Sequence, residues 1–172
     1  MPKLIGIAGK AQSGKTTAAE IAAALTGGVI LPLAQPLYDM LEVLRSDDWP
    51  ADREQPIPGL GRSQRQLLQT LGTEWGRSLI SPTLWVDHLM RRCALLPARQ
   101  VVLVPDVRFD NEAAAIIDAG GKVWGVHGRG GIAGNHTSED GIRWAFVSRW
   151  IDNQGTLHDL RRQVATAVHE DV

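Results

Sequence analysis

Eight residues near the start of the chain, Gly9, Lys10, Ala11, Gln12, Ser13, Gly14, Lys15 and Thr16, carry the spacing G-x-x-x-x-G-K-T. Each residue type there has a job in holding phosphate. The glycines let the backbone fold tightly enough for its N–H groups to face phosphate oxygens. Lys15 reaches the β- and γ-phosphates, and a hydroxyl ligates Mg²⁺. The apolar run Leu4–Ala8 comes directly before, and the helix-forming stretch Thr17–Leu25 directly after. A strand, a glycine-rich loop and a helix in that order place the anion on the positive end of the helix. The pattern therefore predicts nucleoside triphosphate binding, and the open question is what is done with the phosphate.

Other residues that could act on phosphate are spread along the chain. Asp106 and Arg108 follow the apolar run Val101–Val104 and so lie at the carboxyl edge of a sheet, where open α/β folds bind ligands. Arg65 sits in a helical stretch, Arg77 just beyond it, and Arg129 and Arg143 on either side of a Gly-rich segment. Kinases of small metabolites need such arginines, because phosphoryl transfer depends on positioning and on spreading charge over the transferring group. Other uses of the loop fit less well. No asparagine-lysine pair is present to read a guanine base, and the D-x-x-G at Asp118–Gly121 falls at a helix end. The strand to Asp106 continues into Val107 and Arg108, without the Asp-Glu pair expected of a motor-type ATPase.

The elements that must position these groups alternate. Strand-like runs at Lys3–Ala8, Val29–Leu33, Gln100–Val104 and Lys122–His127 are separated by helical patterns, which predicts a three-layer α/β/α fold around a parallel sheet. Pro36–Leu44 reads as a helix and residues 46–61 as a loop rich in Asp, Pro and Gly. Ser63 can cap a helix through Arg65, Leu67, Leu68 and Leu71 that Gly72 closes, with the leucines in the core. A further helix runs from about Thr83 to Cys93. Helices are also expected at Asn111–Ala119 and Thr156–His169. The segment 128–143 reads as a hinged lid, in which His136 and Glu139 cap a helical turn.

At 172 residues and 44% hydrophobic, the chain suits a single domain with a proper core. With 18 basic and 19 acidic residues it has no electrostatic footprint for long nucleic acid. All but four of the basic residues are arginines, suited to bidentate phosphate contacts. One cysteine, Cys93, rules out an internal disulfide and fits a reducing cytoplasm, and neither a membrane span nor a leader is evident.

Four blocks resemble a family when read in order. Gly9–Lys15, Gln66–Arg77 (QLLQTLGTEWGR), Asp106–Ala113 (DVRFDNEA) and Ile151–Leu157 (IDNQGTL) are similar to the deoxynucleoside monophosphate kinases of tailed bacteriophages. The resemblance implies an adenylate-kinase-like fold with a five-stranded parallel sheet, an acceptor-binding insertion at about 36–95, and a lid at about 128–143. It implies ATP-dependent conversion of a deoxynucleoside monophosphate to its diphosphate in the cytoplasm, that of the host for a phage-encoded chain. By the same resemblance Gly9–Thr17 would hold the ATP phosphates and Asn153 would lie near the adenine. Arg65, Gln69 and Arg77 would line the monophosphate side, flanked by Trp85. Asp106 would hold the Mg²⁺ shell or the acceptor, Arg108 the transferring phosphate, and Arg129 would swing in with the lid. Either Thr16 or Thr17 would ligate Mg²⁺, with standard spacing favouring Thr16. Pro36-Leu37-Tyr38 stands where the family has Pro-Leu-Lys, so substrate choice would differ from that of better-known relatives. Partners would be small molecules, with no stable nucleic acid and no membrane, and a homodimer is compatible. Two rivals remain open: a kinase for another small phosphorylated metabolite or a modified-DNA hydroxyl, and a non-catalytic ATP-binding regulator.

Overall fold

A computed structural model describes residues 1–128 and 141–172 and divides the chain into two compact units. The first is Met1–Leu33 with Val86–Val172, and the second is Ala34–Trp85.

The first unit is built on a five-stranded parallel sheet in the order β2-β3-β1-β4-β5. Its strands are β1 (Lys3–Ala8), β2 (Val29–Ile30), β3 (Val101–Val107), β4 (Lys122–His127) and β5 (Arg149–Asp152). β1 and β3 are nearly continuous apolar runs, as expected of strands covered on both faces. Pro105, which cannot donate to a ladder, sits where the β1–β3 register slips between Gly6 and Ala8 and where the short β2 has already ended. That bulge carries the strand past Pro105 to Val107, beyond the end at Val104 that the sequence suggests.

Helix α1 (Lys15–Thr26) lies between Gly14 and Gly27, which adopt left-handed conformations at φ 99° and 65°. Its fully buried Ala18, Ala19 and Ala22 have almost no side chain, so the helix packs closely against β1 and β3 and shares one core with Ile5, Ile7, Leu103, Trp124 and Val126. Helix α6 (Leu157–Asp171) completes this core with Leu160, Val164 and Ala167. Asp171, near its end, binds the indole N–H of buried Trp124 at 2.8 Å, the Lys122 ammonium at 2.7 Å, and Arg149. Burial works against the Asp171 charge, but the Lys122 and Trp124 hydrogen bonds outweigh it and hold the carboxyl below its ordinary range. Helix α5 (Asp110–Asp118) packs against β1 and β4.

β5 is an edge strand, and a side chain stands in for its missing neighbour. Gln163 of α6 accepts from the Asp152 N–H at 2.9 Å and donates to the Asp152 carbonyl at 2.7 Å. Trp150 lies over Gly125, where an added Cβ would come within 2.5 Å of the ring. His127 and Trp144 meet the same indole edge-on.

The second unit holds α2 (Gln35–Glu42), the loop to Ser63, and α3 (Gln64–Gln69), whose Ser63–Gln66 pair forms a capping box. Gly72 does not close this helix. The chain passes directly into an eleven-residue π-helix, Thr70–Ile80. Close packing supplies the reason. A Cβ on Gly72 would lie 3.0 Å from the Leu37 side chain, and one on Gly76 would lie 2.4 Å from the Trp85 indole. The Gly72 carbonyl accepts both the Trp85 indole N–H at 2.8 Å and the Arg77 guanidinium at 2.6 Å. Leu67, Leu68 and Leu71 are half-buried rather than core residues. Helix α4 (Leu84–Ala94) starts in this unit and continues into the first, where Cys93 is fully buried and its thiol is pushed up by burial.

Among the described residues no helix is long and apolar enough to cross a membrane.

Candidate functional site

The loop from Gly9 to Lys15 is formed by backbone conformations that most side chains avoid. Gly9 has φ +150°, and a Cβ there would stand 2.3 Å from the Val126 carbonyl, so only glycine brings the loop so close to β4. Gln12, at φ 62°, is the one non-glycine residue with positive φ among the described residues. Such a conformation costs roughly 1–3 kcal/mol and persists only where its surroundings enforce it. Positive φ at 9, 12 and 14 turns the chain sharply three times within six residues, and the Ser13 N–H closes one of these turns on the Lys10 carbonyl at 3.2 Å.

Two further observations fit phosphate. Ser13 is 2% exposed, and its hydroxyl has no hydrogen-bond partner among the described residues. A buried hydroxyl without a partner costs about 1–3 kcal/mol, which a phosphate oxygen would offset. Lys15 folds back so that its ammonium donates to the Gly9 carbonyl at 2.8 Å and the Lys10 carbonyl at 2.6 Å. This holds the cation against the loop it would serve. Thr16 is exposed and Thr17 half-buried at the start of α1.

The loop is braced from the far end of the chain. Asn153, 8% exposed, donates its amide to the Ser13 carbonyl at 2.9 Å. Its backbone N–H donates to the His127 carbonyl at 2.7 Å, fixing the turn between β5 and α6 against β4.

At the end of β3, the half-buried Asp106 accepts the Leu33 N–H at 2.8 Å, which fixes its carboxylate beside the chain leaving β2. The turn that follows is held by Glu112. This carboxylate, 2% exposed, accepts the backbone N–H groups of Arg108 at 2.7 Å and Phe109 at 3.1 Å. The sequence shows Glu112 only as part of the DVRFDNEA block. Its position in the first turn of α5, where an acid meets the unpaired N–H groups, is the signal that points to it. Asp110 takes both the backbone N–H of Arg143 at 2.8 Å and its Nε at 2.6 Å. The backbone bond above all holds the Asp110 carboxyl below its ordinary range. Arg143 also lies 5.0 Å over the Phe146 ring.

The second unit carries the other candidates. Arg65 pairs with Glu54 at 3.1 Å, and its backbone N–H donates to the Arg53 carbonyl. Glu54 is absent from the candidates that the sequence offers, since it lies in a loop without periodicity. Arg53 in turn reaches the Tyr38 hydroxyl at 3.3 Å and lies 5.4 Å from that ring, so Tyr38 is tied into the same loop. Arg77 and Trp85 converge on the Gly72 carbonyl, and Trp75 tilts against Trp85 at 6.2 Å. Gln69, the last residue of α3, is half-buried.

The candidates thus sort by unit. Gly9–Thr17, Asp106, Arg108 and Asn153 belong to the first, and Arg65, Gln69, Arg77 and Trp85 to the second. Arg129, His136, Glu139 and most of the segment read as a lid lie outside the described residues. Among the described residues no group of three or more His, Cys, Asp or Glu side chains could hold a metal by itself.

The chain is similar to solved structures over nearly its whole length. Against the crystal structure of TT1252 from Thermus thermophilus the TM-score is 0.53 at 20% identity, covering 98% of this chain and 97% of that one. Against a gluconokinase from Sinorhizobium meliloti 1021 it is 0.51 at 12% identity, covering 98% and 93%. These likenesses extend to the fold. No curated protein matches the chain in sequence. A family profile described as deoxynucleotide monophosphate kinase matches residues 61–164, which take in the π-helix, the end of β3 and the turn at Asn153. That match covers more than half of the chain, which therefore belongs to the deoxynucleotide monophosphate kinase family.

Proposed function

We propose that this deoxynucleotide monophosphate kinase uses Mg·ATP as donor and passes the γ-phosphoryl group directly to the phosphate of a deoxynucleoside monophosphate. The observation that carries the donor assignment is the loop at Gly9–Lys15, with its positive-φ turns, the Lys15 ammonium held against it and a buried Ser13 hydroxyl that has no partner among the described residues. Loop amides and Ser13 would bind the β-phosphate, and Lys15 would leave the Gly9 and Lys10 carbonyls to bridge the β- and γ-phosphates. Thr16 and Asp106 would hold the metal. Mg²⁺ takes one or two protein ligands and keeps waters and phosphate oxygens, so a single hydroxyl and a single carboxylate suit it. When bound, Mg²⁺ would supply neutralisation of the negative charge on the donor's phosphates.

Arg108, its turn fixed by Glu112, would bind the transferring group, and Arg129 would add a second positive charge. Arg65, Gln69, Arg77 and Trp85 would bind the acceptor. No covalent enzyme intermediate is needed, because an acceptor phosphate oxygen can displace ADP in line. The resemblance to phage enzymes supports work in a host cytoplasm.

A coupled ADP-release assay across deoxynucleoside and ribonucleoside monophosphates tests this. ADP release should depend on both ATP and a deoxynucleoside monophosphate. Lys15→Met should lower kcat by about a thousandfold or more, with the circular dichroism spectrum unchanged. A folded Lys15→Met protein turning over at the wild-type rate, or no release with any monophosphate, overturns the proposal.

A further inference from the structure

The amide of Asn153 is committed to the loop. Its Nδ2 lies 2.9 Å from the Ser13 carbonyl, and the same nitrogen would be only 2.3 Å from a Cβ at Gly14. Ser13 and Gly14 are joined by a trans peptide, whose C=O and N–H point to opposite sides. Holding the Ser13 oxygen towards Asn153 therefore turns the Gly14 N–H away from Asn153. In a loop of this type that N–H is one of the phosphate donors. Without a donor at Asn153, the Ser13 carbonyl would be buried and unsatisfied, and rotating the Ser13–Gly14 peptide would be its relief. The brace is also independent of the turn that carries it. The Asn153 backbone is fixed by its own bond to the His127 carbonyl, so the side chain can be changed without releasing the β5–α6 connection.

We infer that Asn153 is a positioning residue for the donor's phosphates, which orients the Ser13–Gly14 peptide and acts through the loop rather than on the adenine. The inference rests on the reading of Gly9–Thr16 as the phosphate-binding loop. It makes Asn153 blind to the base: its contribution is the same for every nucleotide carrying a polyphosphate, and for a polyphosphate carrying no base.

The test measures binding of Mg·tripolyphosphate by calorimetry, and KM for ATP and for GTP, in Asn153→Ala and Asn153→Leu. The second variant fills the space but donates nothing, and thermal melts establish that each is folded. Loss of a buried hydrogen bond that leaves its acceptor unpaired should weaken tripolyphosphate about tenfold. KM for ATP and GTP should rise by the same factor, so that their ratio stays within about twofold of wild type, with KM for the monophosphate unchanged. A changed ATP-to-GTP ratio with wild-type tripolyphosphate binding would make Asn153 a base reader and overturn the inference. Lys15→Met serves as the control for the loop itself. If it binds tripolyphosphate as wild type does, the loop reading fails. If it loses binding while both Asn153 variants keep it, the Asn153 inference alone fails.

Discussion

The loop proposed to bind the donor and the arginines proposed to bind the acceptor are held in different ways. Around Gly9–Lys15 the chain fixes backbone: β4 presses on Gly9, Asn153 grips the Ser13 carbonyl, and α1 starts at Gly14. What is left over is the buried Ser13 hydroxyl, without a partner among the described residues. In the second unit the cationic side chains already have internal partners, Arg65 on Glu54 and Arg77 on the Gly72 carbonyl. A loop of fixed amides costs little to reorganise when its ligand arrives. Arginines that must first leave a partner bind through exchange, and the strength of the partner tunes the affinity. Lys15 shares this exchange, since it must leave the Gly9 and Lys10 carbonyls, but on the proposed reading the donor loop adds fixed backbone to it while acceptor affinity is set by competition.

The strongest way to break this contrast is to remove an acceptor-side arginine. Arg65→Ala should raise KM for the deoxynucleoside monophosphate by about tenfold. That is the lower end for a charge-assisted contact, because the Arg65 side chain is 37% exposed. KM for ATP should hardly move. Arg77→Ala should act in the same direction and also lower the melting temperature, since the Gly72 carbonyl loses a donor. Equal rises in both KM values would place these arginines outside the acceptor site.

Next in size is Gly76→Ala. Its methyl would press on the Trp85 indole, and overpacking of this kind costs about 1–3 kcal/mol. The melt should report the loss, and KM for the monophosphate should rise with it while tripolyphosphate binding stays as in wild type. An unchanged melting temperature would mean that the π-helix yields easily and is no rigid platform.

The smallest effect sharpens the competition idea most. Glu54→Gln removes the charge paired with Arg65, and exposed pairs are worth up to about 1 kcal/mol. KM for the monophosphate should therefore fall, by at most about fivefold. A rise would show that Glu54 helps to position Arg65 instead of competing for it.

Much of the first unit is legible in the sequence because its signals are local. The phosphate loop announces itself in eight residues, and β1, β3 and β4 are apolar runs bounded by glycine or proline. β5 is different. Arg-Trp-Ile-Asp offers four residues with one buried, and it becomes a strand by pairing with β4. The π-helix is hidden for another reason. A glycine after a leucine pattern reads as a stop, whereas Gly72 and Gly76 are small because Leu37 and Trp85 press against them. A close approach and a chain break call for the same residue, and only the neighbour decides between them. The pairings of Asn153 with Ser13 and of Glu54 with Arg65 are tertiary contacts, so no periodicity reveals them.

The strand order has a consequence for a chain emerging from the ribosome. β1 is made first but occupies the middle of the sheet, and it must wait for β3 on one side and β4 on the other. The phosphate loop hanging from it receives its last brace only when residue 153 has been synthesised. The loop is thus fully braced only in a nearly finished chain. The apolar β1 and α1 must pass through that interval without the partners that later bury them, the stage at which chains of this topology are open to aggregation.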